Sequence, residues 1–227
     1  MHSISSEKSE YLSDLFPRRK KSHSAYECYG SYVIRQLPCL DEFEWKVPGV
    51  HLENWVRERA SIFNTTGPFN LVHGDMNGGN IIIEDSEKAF LIDFDNMYYG
   101  HCAPELVRCL IANYCQESLS KQQLFLDTYR QNVSKESWQF WQENMVTIVI
   151  FSILKIMSVC LKKSKKLEKK GLTQKGHIKF AYSQDLWIWL QNIMIAFPDG
   201  RGDWPSIIEL FTLKNKEQAR HDYRFSL

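Results

Sequence analysis

His73-Gly74-Asp75-Met76-Asn77-Gly78-Gly79-Asn80 lies between short apolar segments and organises the reading of everything around it. Before it, Phe69-Asn70-Leu71-Val72 reads as a short strand. After it come Ile81-Ile82-Ile83 and Ala89-Phe90-Leu91-Ile92, separated by Glu84-Asp85-Ser86-Glu87-Lys88, a polar spacer of hairpin length. A glycine-rich loop therefore precedes a hairpin, and Asp93-Phe94-Asp95 leaves it. Asp75 sits just after one strand, Asn80 begins the next, and the hairpin returns Asp93 toward Asn80. An amide oxygen and a carboxylate are hard ligands that suit Mg²⁺. A second carboxylate, displaced from a metal, can accept the proton of an attacking hydroxyl. Phosphoryl transfer asks for that division of labour, because its transition state requires positioning and charge neutralisation. Asp and Asn also cap turns singly, but that role does not account for their joint order.

The string HGDMNGGN…LIDFD resembles the catalytic core of the aminoglycoside phosphotransferase and choline kinase group, the small-molecule branch of the protein-kinase-like fold. The resemblance implies that Asp75 is the catalytic base and that Asn80 and Asp93 hold the metal and, through it, the nucleotide. It implies that Asp95 assists the metal, and that His73 and Gly74 are structural members of the loop. It further implies an ATP- and Mg²⁺-dependent enzyme that phosphorylates a hydroxyl of a small molecule. The motif match spans about residues 52–113, and the helix-rich remainder is similar to the family's C-terminal lobe by pattern.

The chain also departs from that family. A complete kinase of this type carries a glycine-rich loop over the phosphates, a strand lysine and a helix glutamate. No G-x-G-x-x-G or Walker-type string occurs, and Gly30 and Gly49 stand alone. Arg35, within a strand-like Tyr26–Leu37, and Lys46, just before Pro48, are poor replacements for the lysine. Glu105, in Ala103-Pro104-Glu105-Leu106, stands where the family often places an aspartate. The expected fold is α+β: a mostly helical, protein-kinase-like C-terminal lobe with a small catalytic hairpin and an N-lobe reduced or absent. The alternative function is a truncated, incompetent lobe that acts as a binding module or as half of a split enzyme.

Further out, residues 1–25 read as a polar arm containing Arg18-Arg19-Lys20-Lys21, and residues 26–227 as the kinase-like domain. Its core covers about 52–113 and its helical substrate subdomain about 114–227. Leu52–Phe63 has helical spacing and ends before Gly67-Pro68. Ser120-Lys121-Gln122-Gln123 matches a capping box that opens the next helix. Helices are expected over about Ser134–Leu161 and His177–Ile195, joined by a basic linker, Lys162–Gly176.

In 227 residues, 44% are hydrophobic, and 28 basic side chains face 27 acidic ones, the balance of a globular chain. A net charge of +1 offers no global attraction to nucleic acid, so no nucleic-acid partner is expected. The six scattered cysteines include no Cys-x-x-Cys pair, and the polar N-terminus carries no secretory signal, so a cytoplasmic protein with reduced thiols is expected. Met145–Leu161 is apolar but interrupted by Lys155 and short for a span of about 20 residues. A buried core helix is expected there, and no membrane partner. Trp138, Trp141, Trp187 and Trp189 read as core rather than a cation-binding cage. His101 and His177 read as ordinary residues rather than as metal ligands. A protein partner or second copy is expected to cover the face left by the missing N-lobe.

Overall fold

A computed structural model describes residues 5–6, 29–41, 47, 51–64, 69–84, 88–112 and 118–210. The basic cluster Arg18–Lys21, Lys46, Gly49 and the Tyr26–Cys28 start of the expected strand lie outside them. The described chain is mostly helical, with small antiparallel sheets, and it forms two compact units. One contains residues 62–143 with Ser5–Ser6; the other contains 29–61 and 144–210.

In the first unit, β1 (Ser5–Ser6), β2 (Phe69–Val72) and β5 (Tyr98–Gly100) form a sheet in the order β1-β2-β5. Part of the expected polar arm thus supplies an edge strand, with Ser5 opposite Asn70 and Ser6 opposite Phe69. β3 (Ile81–Glu84) and β4 (Lys88–Leu91) form the anticipated hairpin, Ile82 facing Phe90 and Glu84 facing Lys88. Helices α4 (Ala103–Ala112) and α5 (Leu119–Asn132) follow. The cap of α5 is Ser118, not Ser120: the Ser118 hydroxyl accepts the Lys121 amide at 3.3 Å, and Ser120 lies one residue inside the helix. The first turns of α6 (Lys135–Glu168) belong here too, and the Ser137 hydroxyl donates to Asn70 Oδ1 at 2.8 Å, tying that helix to β2. Val72, Tyr98 and Cys102 form a small apolar cluster against Tyr129 and Val133.

The second unit is helical: α1 (Ser31–Gln36), α2 (Pro38–Asp41), α3 (Leu52–Arg59), the rest of α6, α7 (Thr173–Ala196) and a helical stretch at 204–210. The strand expected over Tyr26–Leu37 is helical from Ser31. Val33, Leu37 and Leu40, three or four residues apart, are all buried, and this spacing outweighs the β-branched character of Val33 and Ile34. Arg35 therefore stands exposed on a helix, bonded to Ser31, and is no strand cation.

The expected basic linker is also corrected. α6 continues seven residues past Leu161, because lysine, leucine and glutamate are good helix formers and buried Ser164 keeps one side of the helix packed. The turn follows at 169–172, with Gly171 in the left-handed region. Gly176 lies inside α7, where a Cβ would sit 3.2 Å from the Ser164 carbonyl oxygen, so its small size permits a close approach of the two helices.

By length and composition α6 is one helix capable of crossing a membrane, yet residues 145–154 are all buried in this unit. Lys155, the charge within the Met145–Leu161 segment, lies with its ammonium over the rings of Tyr29 and Tyr32, at 4.8 and 5.8 Å from their centres. Trp141, Trp187 and Trp189 are buried, and the Trp189 indole donates to the Ile207 carbonyl at 3.1 Å.

Candidate active site

The site is built on the loop between β2 and β3. His73 is fully buried; its Nε2 donates to the Ile92 carbonyl at 2.8 Å, and its Nδ1 accepts the Asp75 amide at 3.4 Å. These partners select the neutral Nε2–H tautomer and join the loop to the hairpin exit. Gly74 has φ +80°, and a Cβ there would lie 2.2 Å from the Asn96 carbonyl oxygen. Only glycine supplies both the left-handed backbone and the space, so the Phe94–Asn96 turn can close onto the loop.

Glu105, buried in the first turn of α4, accepts two loop amides: Gly74 N–H at 2.8 Å and His73 N–H at 3.1 Å. The substitution noted in the sequence is thus a buried carboxylate that fixes the loop backbone with both oxygens. Tyr129 lies close by on α5. Burial pushes its phenol up, and Cys102 and Glu105 push the same way, so it remains a neutral donor.

The Asp75 backbone carbonyl is gripped from two sides, by Asn80 Nδ2 at 2.9 Å and Asn77 Nδ2 at 3.1 Å. Asn77 also accepts the Gly79 amide at 2.9 Å, bending the chain into the short 3₁₀ turn that delivers Asn80. Asn80 Nδ2 approaches the Asp75 carboxylate at 3.5 Å, leaving the amide oxygen as the end of Asn80 available to a cation. Ile81 faces Leu91 across the hairpin, and the Ile92 amide donates to the Asn80 carbonyl at 3.0 Å. Asp93 therefore follows directly on a residue bonded to Asn80. It has φ 61° and ψ 61°, an uncommon conformation for a residue with a side chain.

Hydrogen bonds thus join His73, Gly74, Asp75 and Asn80, while Asp93 is brought beside them through the backbone. Asp95 sits in the adjoining turn. Asp93 and Asp95 are exposed, and neither carboxylate is paired with a described residue. Among the described residues no group of three His, Cys, Asp or Glu forms a metal cluster. The donor set on this loop is a mixed one, an amide and carboxylates, whose hard oxygens fit Mg²⁺ together with water and phosphate.

A family comparison carries the decision: residues 6–141 match the Phosphotransferase enzyme family, APH. The chain belongs to the APH phosphotransferase family. Membership implies a kinase-like fold and a phosphotransferase activity, and enzymes of the family typically use ATP and Mg²⁺. Comparisons with curated proteins and with solved structures found no match.

One APH-site residue escaped the sequence. Arg108, one turn after Glu105 on α4, places Nη2 2.7 Å from Asp75 Oδ1, both side chains being about a third exposed. Its signal was the three-residue spacing from Glu105, which puts both on one side of the helix. That side faces the loop only through tertiary packing.

Proposed function

We propose that this chain is an ATP- and Mg²⁺-dependent phosphotransferase that moves the γ-phosphoryl group to a hydroxyl of a small molecule. The observation that carries the reading is the joint seating of Asp75, Asn80 and the Asp93 backbone by the hydrogen bonds of one loop and one hairpin. Asp75 orients the acceptor hydroxyl and takes its proton as the oxygen attacks phosphorus. Asn80 and Asp93 would hold Mg²⁺, with Asp95 assisting, and the cation when bound neutralises charge on the phosphates. His73, Gly74 and Glu105 keep the loop in register. The acceptor is a small molecule, and residence in the cytoplasm belongs to the same proposal. No disulfide joins any two of the described cysteines Cys39, Cys102, Cys109 and Cys160, which suits a reducing compartment.

A second reading has its own support. The sequence lacks a glycine-rich phosphate loop, and Ile82, Ile83 and Phe90 on the hairpin beside the site are exposed. These features suit a C-terminal lobe with a reduced N-lobe that works as half of a split enzyme, its apolar hairpin covered by a protein partner or a second copy.

Thermal stabilisation of the purified chain by ATP separates the two readings. Saturable, Mg²⁺-dependent stabilisation at millimolar nucleotide or below, with acceptor phosphorylation, supports the complete enzyme. No stabilisation until a partner is added supports the split one.

A further inference from the structure

We infer that Arg108 is an anion latch on the catalytic base: its guanidinium holds Asp75 and exchanges that carboxylate for a phosphate of the donor. The inference deepens the phosphotransferase reading and rests on it for the identity of the donor.

One donor of Arg108, Nη2, is engaged by Asp75 Oδ1 at 2.7 Å. Arg108 makes no other hydrogen bond with a described residue, so most of its five N–H donors remain unclaimed by them. Both partners reach solvent. An ion pair so placed is weak, because water screens it and competes for both groups. A phosphate group carries more charge than a carboxylate and offers oxygens spaced for two parallel N–H contacts, the geometry a guanidinium fork fits best. Phosphate is therefore the stronger claimant.

The exchange has a mechanistic consequence. A carboxylate oxygen committed to a charge-assisted hydrogen bond is taken up by its donor and has less room for a second. While Arg108 holds Oδ1, that oxygen is occupied and is not free to receive the acceptor's hydroxyl. When Arg108 turns to phosphate, Oδ1 is released and a positive charge moves to the group being transferred. Binding of the donor and readiness of the base are then coupled through one side chain, and idle attack by water is held down. No bond is made or broken in the exchange; only the partner of the guanidinium changes.

The test is calorimetric titration of the full chain with inorganic tripolyphosphate, without Mg²⁺, acceptor or turnover, so its outcome is independent of whether the chain phosphorylates anything. Four proteins are compared: wild type, Asp75→Asn, Arg108→Gln and the double variant. Removing the competing carboxylate in Asp75→Asn is expected to tighten binding about three- to fivefold. Arg108→Gln is expected to weaken it about tenfold, and the gain from Asp75→Asn vanishes in that background. Arg108→Lys, which keeps the charge but not the fork, falls between and serves if the Gln variant does not fold. An equal gain from Asp75→Asn in both backgrounds overturns the latch, because simple charge removal would produce it. Unchanged affinity in Arg108→Gln, or no binding by any variant, also overturns it.

Discussion

The two units are held by different forces. In the second, α6 buries every residue from Met145 to Leu154, most of them apolar, and stability comes chiefly from packed apolar surface. In the first, the loop from His73 to Asn80 is held by hydrogen bonds to its own backbone: Glu105 on two amides, Asn77 and Asn80 on one carbonyl, His73 on the hairpin exit. Apolar packing tolerates small shifts, whereas these bonds fix direction. A site that must aim oxygens is accordingly built from the second kind of contact, and its carboxylates reach solvent while His73, Asn80 and Glu105, which help aim them, are buried.

That contrast can be broken deliberately. Ile150→Ala, at a fully buried position of α6, should cost about 2–5 kcal/mol of stability in urea denaturation. Phosphotransferase rate below the melting transition should be unchanged; a comparable fall in rate would show that packing in the second unit sets the site. Acid should act on the first unit. His101 stacks on Phe140, with ring centres 4.2 Å apart, and burial lowers its pKa to about 4. Below the ordinary value of 6.5 the unfolded chain gains a proton that the folded one resists, so stability falls from about pH 6.5 to pH 4 and levels off beneath. The loss is at most about 3 kcal/mol, and His101→Phe should flatten it in denaturation curves taken across that range.

Smaller effects sharpen the comparison. Gly74→Ala must place a Cβ against the Asn96 carbonyl at a positive φ, costing about 1–3 kcal/mol and more in rate than Ile150→Ala at equal destabilisation. Glu105→Gln leaves one of the two loop amides without its carboxylate oxygen. It should cost about 1–2 kcal/mol and speed hydrogen exchange at His73 and Gly74, with little change elsewhere.

How much of this was legible depended on whether the cause was local. The hairpin, β2 and the α3 segment were readable because turn residues and periodicity lie within a few positions of one another. The loop was readable because Gly74, Asn77 and Asn80 act on neighbours. Val33, Leu37 and Leu40 carried the helical period of α1 and α2 all along, but the aromatic and β-branched residues beside them suggested a strand. The lysines after Leu161 suggest a linker by their charge although their propensity is helical, and the packed side at Ser164 and Gly176 exists only with α7 in place. Arg108 and the double role of Glu105 could not be seen, since both depend on α4 lying against the loop.

Turnover and nucleotide binding measured together on wild type, Asp75→Ala and Asp93→Ala test the central claim most directly. The account predicts that Asp75→Ala loses about a hundredfold or more in phosphorylation of the acceptor while still binding Mg²⁺·ATP, and that Asp93→Ala loses both. Equal turnover in wild type and Asp75→Ala, or undiminished Mg²⁺-dependent ATP binding in Asp93→Ala, would contradict it.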